Sequence, residues 1–193
     1  MSKTFQRAEE RLLSAIGAAR VSHAFFISSL DPEPAVRLAR RAAALVCTGE
    51  ADEARLAQSA GFRAYDGASM RIDDIRELIA GLAQSPLNGQ MRCTLIEAAH
   101  GMSIPVQNAL LKTLEEPPSS AVFILTGNIA GVLPTVASRC AVIRAGLSSA
   151  SEIESLLLSR GASPAEARFY AAAGGGSETR ALRLYEDETF RTL

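Results

Sequence analysis

FFISSLDPEPAVRLARR, residues 25–41, passes from a compact apolar run through a turn into apolar residues at helical spacing. The run spans residues 24–28, and Val36, Leu38, Ala42 and Leu45 line one face of a helix predicted over 35–47. Pro34 suits the first turn of that helix, where its missing N–H is not needed. Strand, turn and helix in this order form the frame of a phosphate-binding loop. Such a loop supplies glycines whose N–H groups wrap the phosphates, a Lys to reach them and a Ser or Thr for magnesium. Here the turn reads Ser28-Ser29-Leu30-Asp31-Pro32-Glu33-Pro34, with no glycine, no lysine, two prolines and two acids. Without glycines the amides cannot converge freely on a phosphate, and Asp31 with Glu33 would repel it.

The pattern recurs along the chain. Residues 5–19 are apolar at helical spacing through Phe5, Ala8, Leu12, Ala15, Ile16 and Ala19. Ile72, Ile75, Leu78, Ile79 and Leu82 predict an amphipathic helix started by DGAS (66–69) and stopped by Pro86 and Gly89. CTLIEAA (93–99) reads as a buried strand, and Ser103 is placed to cap a helix that Pro117-Pro118 ends. AVFILT (121–126) and CAVIRA (140–145) are further apolar strands. Continuous apolar strands alternating with helices predict an α/β fold, with a mainly parallel sheet covered on both faces. After about Ser148 the pattern is helical only, over 151–160, 164–173 and 178–190, with Gly174-Gly175-Gly176 before the last. The expected organisation is an α/β domain over 1–147 and a small all-α lid over 148–193. YEDETFRTL at the end carries no helix stop, which predicts a longer polypeptide.

Bulk composition excludes several classes. The chain has 193 residues, 48% hydrophobic and 21% charged, with a formal charge of −1 and a pI near 6.2. It is neither disordered nor a membrane protein by composition, and it lacks the basic field needed to grip DNA alone. Lys3 and Lys112 are the only lysines, so none lies near the 28–34 turn. Cys47, Cys93 and Cys140 are each more than forty residues apart, without zinc-site spacing, and read as three separate thiols in or near the core. The odd count, with no signal peptide, predicts a reducing cytoplasm. His23 and His100 have no companion at ligand spacing, so no metal and no cofactor are expected.

QNALLKTLEEPPSSAVFILT (107–126), followed by LPTVASRC (133–140), resembles the clamp-loader members of the AAA+ class, and most closely the delta-prime subunits of bacterial DNA polymerase III. SHAFF (22–26) and DGASMRIDDIRELI (66–79) add weaker support, and the resemblance covers residues 5–185. It implies a P-loop-like sheet with a helical lid. The family's third, helical collar domain has no counterpart in these 193 residues. In the ATPase members the opening turn carries glycines and a Lys, and a later strand ends in Asp-Glu, which hold magnesium and position water. Both places depart here: Asp31, Pro32, Glu33 and Pro34 form the turn, and the strand ends Glu97-Ala98-Ala99. Many relatives carry a cysteine cluster where only Cys47 stands, so the expectation is no zinc.

The resemblance also implies roles. Arg139 of the SRC triplet would project into a neighbouring subunit's ATP site as an arginine finger, because its planar fork binds phosphate oxygens bidentately. Ser138 and Cys140 would set its position, and Lys112, Glu115 and Glu116 would face a neighbour. Glu97 is expected to be a solvated or ion-paired strand end. Thr126 and Asn128 are expected to form a turn, and Arg180, at the family's second sensor, to join the two domains by a salt bridge. The cluster of Arg37, Arg40 and Arg41 reads either as a contact for DNA phosphates or as a solvated helix face.

The resulting expectation is a delta-prime-like, non-hydrolysing scaffold of a polymerase III holoenzyme, cytoplasmic and not an enzyme by itself. Its partners would be the ATPase and delta subunits, the sliding clamp indirectly, and primed DNA through the assembly. The alternatives are a nucleotide-binding, weakly active AAA+ ATPase and a solitary interaction module that keeps the fold.

Overall fold

The computed structural model describes residues 3–17, 22–83 and 91–187. Five parallel strands, β1 (Ala24–Ser28), β2 (Phe62–Asp66), β3 (Arg92–Glu97), β4 (Ala121–Gly127) and β5 (Ala141–Arg144), form one sheet in the order β2-β3-β4-β1-β5. Parallel neighbours require crossovers, which the chain makes through its helices. These are α1 (Lys3–Gly17), α2 (Pro32–Thr48), α3 (Glu53–Leu56), α4 (Ile72–Ala83), α5 (Ile104–Glu115) and α6 (Pro134–Ala137).

The four strands other than β2 are mainly apolar because both faces of the sheet are covered there. Phe25, Ile27, Cys93, Leu95, Val122, Ile124 and Ile143 pack under α1, α2 and α3 with Phe5, Leu12, Leu38 and Leu56. Their chain neighbours Ala24, Phe26, Ile96, Phe123 and Leu125 point the other way, onto Ile75, Leu78, Val106, Leu110 and Val136 of α4, α5 and α6. Phe25, Phe26, Phe123 and Ile124 are buried to 1% exposure or less, so the sheet centre holds the bulkiest part of the core.

Local chemistry sets the helix ends. Pro32 stands in the first turn of α2, and Gly49 closes that helix in the left-handed region at φ 80°. Pro105 opens α5 after Ser103, which occupies the N-cap position without a side-chain cap bond. The DGAS residues form a turn closed by Asp66, whose Oδ1 accepts from the Ala68 N–H, while α4 itself is capped from within as Asp74 accepts from the Arg71 N–H. Arg92 donates to the Gly81 and Leu82 carbonyls, satisfying acceptors at the far end of α4.

The remaining helices are α7 (Ala150–Ser159), α8 (Pro164–Gly174) and α9 (Glu178–Glu186). Ser149 with Glu152, and Ser163 with Glu166, form capping boxes at α7 and α8. The three helices enclose their own core of Ile153, Leu157, Ala167, Tyr170, Ala181 and Tyr185. A Cβ on Gly174 would meet the Ala181 Cβ at 2.7 Å, so glycine there lets α8 and α9 approach closely. Gly175 supplies the left-handed cap of α8 at φ 59°.

Two differences from the sequence expectation concern exposed structure. β2 was not anticipated: its FRAYD sequence lies at the sheet edge with Arg63, Ala64 and Asp66 exposed, so it carries no apolar run. The third strand ends at Glu97 rather than Ala99, because Ala98 turns left-handed at φ 47°. Ala19, Pro86, Gly89 and the predicted helical residues 188–190 lie outside the described residues. Among the described residues no helix is long and apolar enough to cross a membrane.

Candidate functional site

The turn between β1 and α2 contains only Ser29, Leu30 and Asp31, because α2 starts at Pro32. Its donors are engaged internally. The Ser29 N–H bonds the Gly127 carbonyl at 3.0 Å, and the Asp31 N–H bonds the Ser29 hydroxyl oxygen at 3.0 Å. Pro32 and Pro34 have no N–H. At most Leu30 and Glu33 are left to donate, and these are not the run of successive amides that cradles a phosphate.

Asp31 faces away from that cradle. Its side chain is fully buried and makes no cap bond to its own helix. Its carboxylate instead accepts from the Ser177 hydroxyl at 3.0 Å and from the N–H groups of Glu178 at 2.6 Å and Thr179 at 3.4 Å. Glu33, further along, pairs with Arg183 at 3.0 Å between exposed side chains. This corrects the role expected of Arg180: the ion pair between the sheet unit and the C-terminal helices is made by Arg183. Arg180 is exposed and has no ion pair among the described residues. The two arginines stand one helical turn apart, and Arg183 lies on the side of Glu33.

Glu97, at the end of β3, accepts from Arg40 of α2 at 3.0 Å. Arg41 pairs with the buried Glu9 at 2.8 Å, so Arg37 is the exposed member of its cluster that has no acid partner among the described residues. Ala98 follows in the left-handed region and offers only a methyl group where a water-orienting carboxylate would stand. Asn128 caps the turn after β4 by accepting from the Ala130 N–H, while Thr126 is buried beside it in the strand. The Asn128 N–H in turn donates to Nδ1 of His100 at 3.4 Å. A Cβ on Gly127 would fall 2.4 Å from that same nitrogen.

At the other end of α5, Arg139 emerges from the turn after α6 with 31% of its side chain exposed. Its Nε donates to Glu115 at 2.9 Å, its Nη2 bonds the same carboxylate oxygen, and its Nη1 donates to the Thr135 carbonyl at 2.7 Å. Ser138 caps the turn through the Thr135 carbonyl, and Cys140 is buried beneath it, its thiol pushed up to about 11 by burial. Structure therefore brings Arg139, Ser138, Cys140 and Glu115 together, with Lys112 of α5 and Glu116 at its C-cap exposed nearby. Gln107 is the residue the sequence reading passed over. It is buried, donates to the Met102 carbonyl and accepts from the Leu133 N–H at 2.7 Å, which ties α5 to the start of α6. The available signal was a glutamine on the apolar stripe that continues through Leu110 and Leu114.

Cys47, Cys93 and Cys140 are all free thiols, and Cys47 and Cys93 lie beside one another. The Cys93 neighbour holds Cys47 below the ordinary thiol value, and the Cys47 neighbour combines with burial to push Cys93 well above it. An open cleft of about 590 Å³ between α1 and α7, lined by Lys3, Gln6, Ser149 and Glu152 among others, shares no residue with the β1–α2 turn.

The family model described as "DNA polymerase III, delta subunit" matches residues 5–146. The chain belongs to this family. Within the clamp-loader family it is delta-prime-like. It is 35% identical to DNA polymerase III subunit delta' of Pseudomonas aeruginosa over 119 residues, which cover 60% of this chain and 36% of the relative. It is also 40% identical over 77 residues to subunit tau of Escherichia coli K12, covering 39% of this chain and 12% of that protein. This delta-prime-like chain thus spans about a third or less of the length of these relatives. In fold it is similar to a gamma subunit-related protein of Thermotoga maritima, with a TM-score of 0.58 and 21% identity over 94% of this chain and 58% of that one. A second neighbour is the RuvB Holliday junction branch migration motor of the same organism, with a TM-score of 0.61 and 14% identity over 93% and 59%. The architecture is the AAA+ type, a parallel sheet between helices followed by helices alone.

Proposed function

We propose that this chain is a non-hydrolysing subunit of a clamp loader, a rigid frame in a ring whose ATPase subunits do the chemistry. The observation that carries the reading is the β1–α2 turn, where the donors needed for phosphate are bonded within the protein and Asp31 is engaged elsewhere. Glu97 is paired with Arg40, and Ala98 has no group to orient water, which supports the same reading from the opposite side of the site. In this account residues 1–147 form the frame and 148–193 its lid.

The active contribution falls to Arg139, at the surface after α6. A permanently charged fork at a subunit edge suits a terminal phosphate of the neighbour, and such a finger raises hydrolysis by on the order of a thousandfold or more. Lys112, Glu115 and Glu116 share that edge. The partners in this reading are the ATPase and delta subunits in the cytoplasm, with the sliding clamp and primed DNA reached through the assembly. Calorimetric titration with ATP and magnesium tests the frame reading directly. No binding heat at about 50 micromolar protein excludes affinities tighter than roughly millimolar, whereas saturable one-site binding replaces this reading with that of a nucleotide-binding ATPase.

A further inference from the structure

Asp31 has the position of a helix cap and performs a different task. It precedes α2 in extended backbone, φ −109°, where an aspartate ordinarily accepts from its own helix. Instead its carboxylate crosses to residues 146 to 148 positions later and takes donors from the first turn of α9: the Ser177 hydroxyl and the Glu178 and Thr179 N–H groups. A buried carboxylate is tolerated only where donors replace its water, and here the donors all belong to the C-terminal helices. The positive end of the α9 dipole adds to the attraction. Within the C-terminal unit the start of α9 is held in place by Ser148, whose N–H donates to the Gly176 carbonyl at 2.8 Å and whose hydroxyl donates to the buried Glu178 carboxylate at 2.8 Å.

We propose that Asp31 is a built-in latch: a carboxylate that fixes the C-terminal helices on the sheet unit, making the bonds by which a helix start holds a phosphate, with no ligand between the two. Its part in a ring rests on the frame reading above, but the latch is a property of this chain alone. Arg183 with Glu33 lies outside it, exposed to water and salt, and contributes little to the hold. Three donors on one buried carboxylate outweigh that pair, because charged hydrogen bonds are about twice as strong as neutral ones, and the Thr4 N–H adds one further bond across the units, to Glu152 at 3.3 Å.

Hydrogen exchange on the full-length protein tests this. Asp31→Asn keeps the shape but removes the charge and turns an NH2 group toward the donors. Amides of residues 177–186 are expected to exchange roughly ten- to a hundredfold faster, while those of β3 and β4 keep their protection. Unchanged exchange over 177–186 overturns the latch. If Asp31→Asn also frees β3 and β4, Ser177→Asp decides, because it keeps a cap acceptor for the Arg180 N–H while removing the hydroxyl that donates to Asp31 and setting a like charge beside it: a several-fold rise confined to 177–186 upholds the latch, and no rise overturns it. ATP with magnesium, added to the unaltered protein, judges the frame reading separately. Changed exchange at residues 29–34 counts against that reading, while the latch stands or falls on the two substitutions.

Discussion

The guanidinium of Arg139 is held by the carboxylate of Glu115, 24 residues earlier in the chain, through both Nε and Nη2. With Nη1 on the Thr135 carbonyl, most of the fork is already engaged inside the protein. A neighbouring phosphate would therefore have to displace Glu115, and the exposure of both side chains makes that exchange inexpensive, since such pairs contribute about 1 kcal/mol or less.

Arg139→Ala in the full-length protein is expected to leave assembly intact and to slow hydrolysis at the site it serves by on the order of a thousandfold. Arg139→Lys should recover little, because an ammonium cannot reproduce the planar fork. Steady-state turnover of the reconstituted ring measures both, and unchanged turnover in Arg139→Ala removes the finger assignment.

Gln107→Leu removes two bonds at once and strands the Met102 carbonyl and the Leu133 N–H. The expected loss is about 2–3 kcal/mol, read as a lower urea midpoint at unchanged slope. A loss within 0.5 kcal/mol, or about the size of a neutral surface change, would show that water replaces the side chain.

Ala98 and Gly127 respond in opposite directions. Ala98→Gly relieves a left-handed alanine at φ 47° and is expected to stabilise by about 0.5–1 kcal/mol. Gly127→Ala forces a methyl group to within 2.4 Å of His100 Nδ1 at a φ of 140°, and a loss above about 2 kcal/mol is expected. Thermal unfolding of the pair of variants checks the sign of each.

The Cys140 thiol gives an alkaline signature. Burial raises it from 9.0 to about 11, so the unfolded chain releases this proton first. The associated stability is present below pH 9 and is lost as the pH rises through 11, by about 2–3 kcal/mol in all. Denaturant midpoints measured from pH 8 to 11 should fall less steeply in Cys140→Ala than in the unaltered protein, and parallel slopes would contradict the assignment.

Four of the strands were legible because burial on both faces leaves mostly apolar residues in them, and the long helices because each buries a single stripe. β2 was hidden by the same rule, since an edge strand with Arg63 and Asp66 in water has no stripe to show. The turn at 28–34 was legible only in its residue types, two prolines and two acids without glycine or lysine. Its actual bonding was not, because the partners of Asp31 stand some 146 residues away and no local pattern announces them. The choice between Arg180 and Arg183 likewise depends on how α9 is rotated against α2, which helical spacing alone leaves open. Arg139 was singled out by its motif, whereas Glu115, the acid that holds it, was expected only to face a neighbour.

The strand order also dictates a schedule for synthesis. Ala24 of β1 pairs with Phe123 of β4, and Phe25 with Ala141 of β5, so an interior strand of the sheet is made first and waits for the last two. At roughly 5–20 residues per second, a ribosome needs on the order of 5–20 seconds to deliver those neighbours. Through that interval Phe25, Phe26 and Ile27, which end at 1% exposure or less, have no complete sheet to enter, so the nascent chain carries its most apolar strand in the open until β4 and β5 arrive.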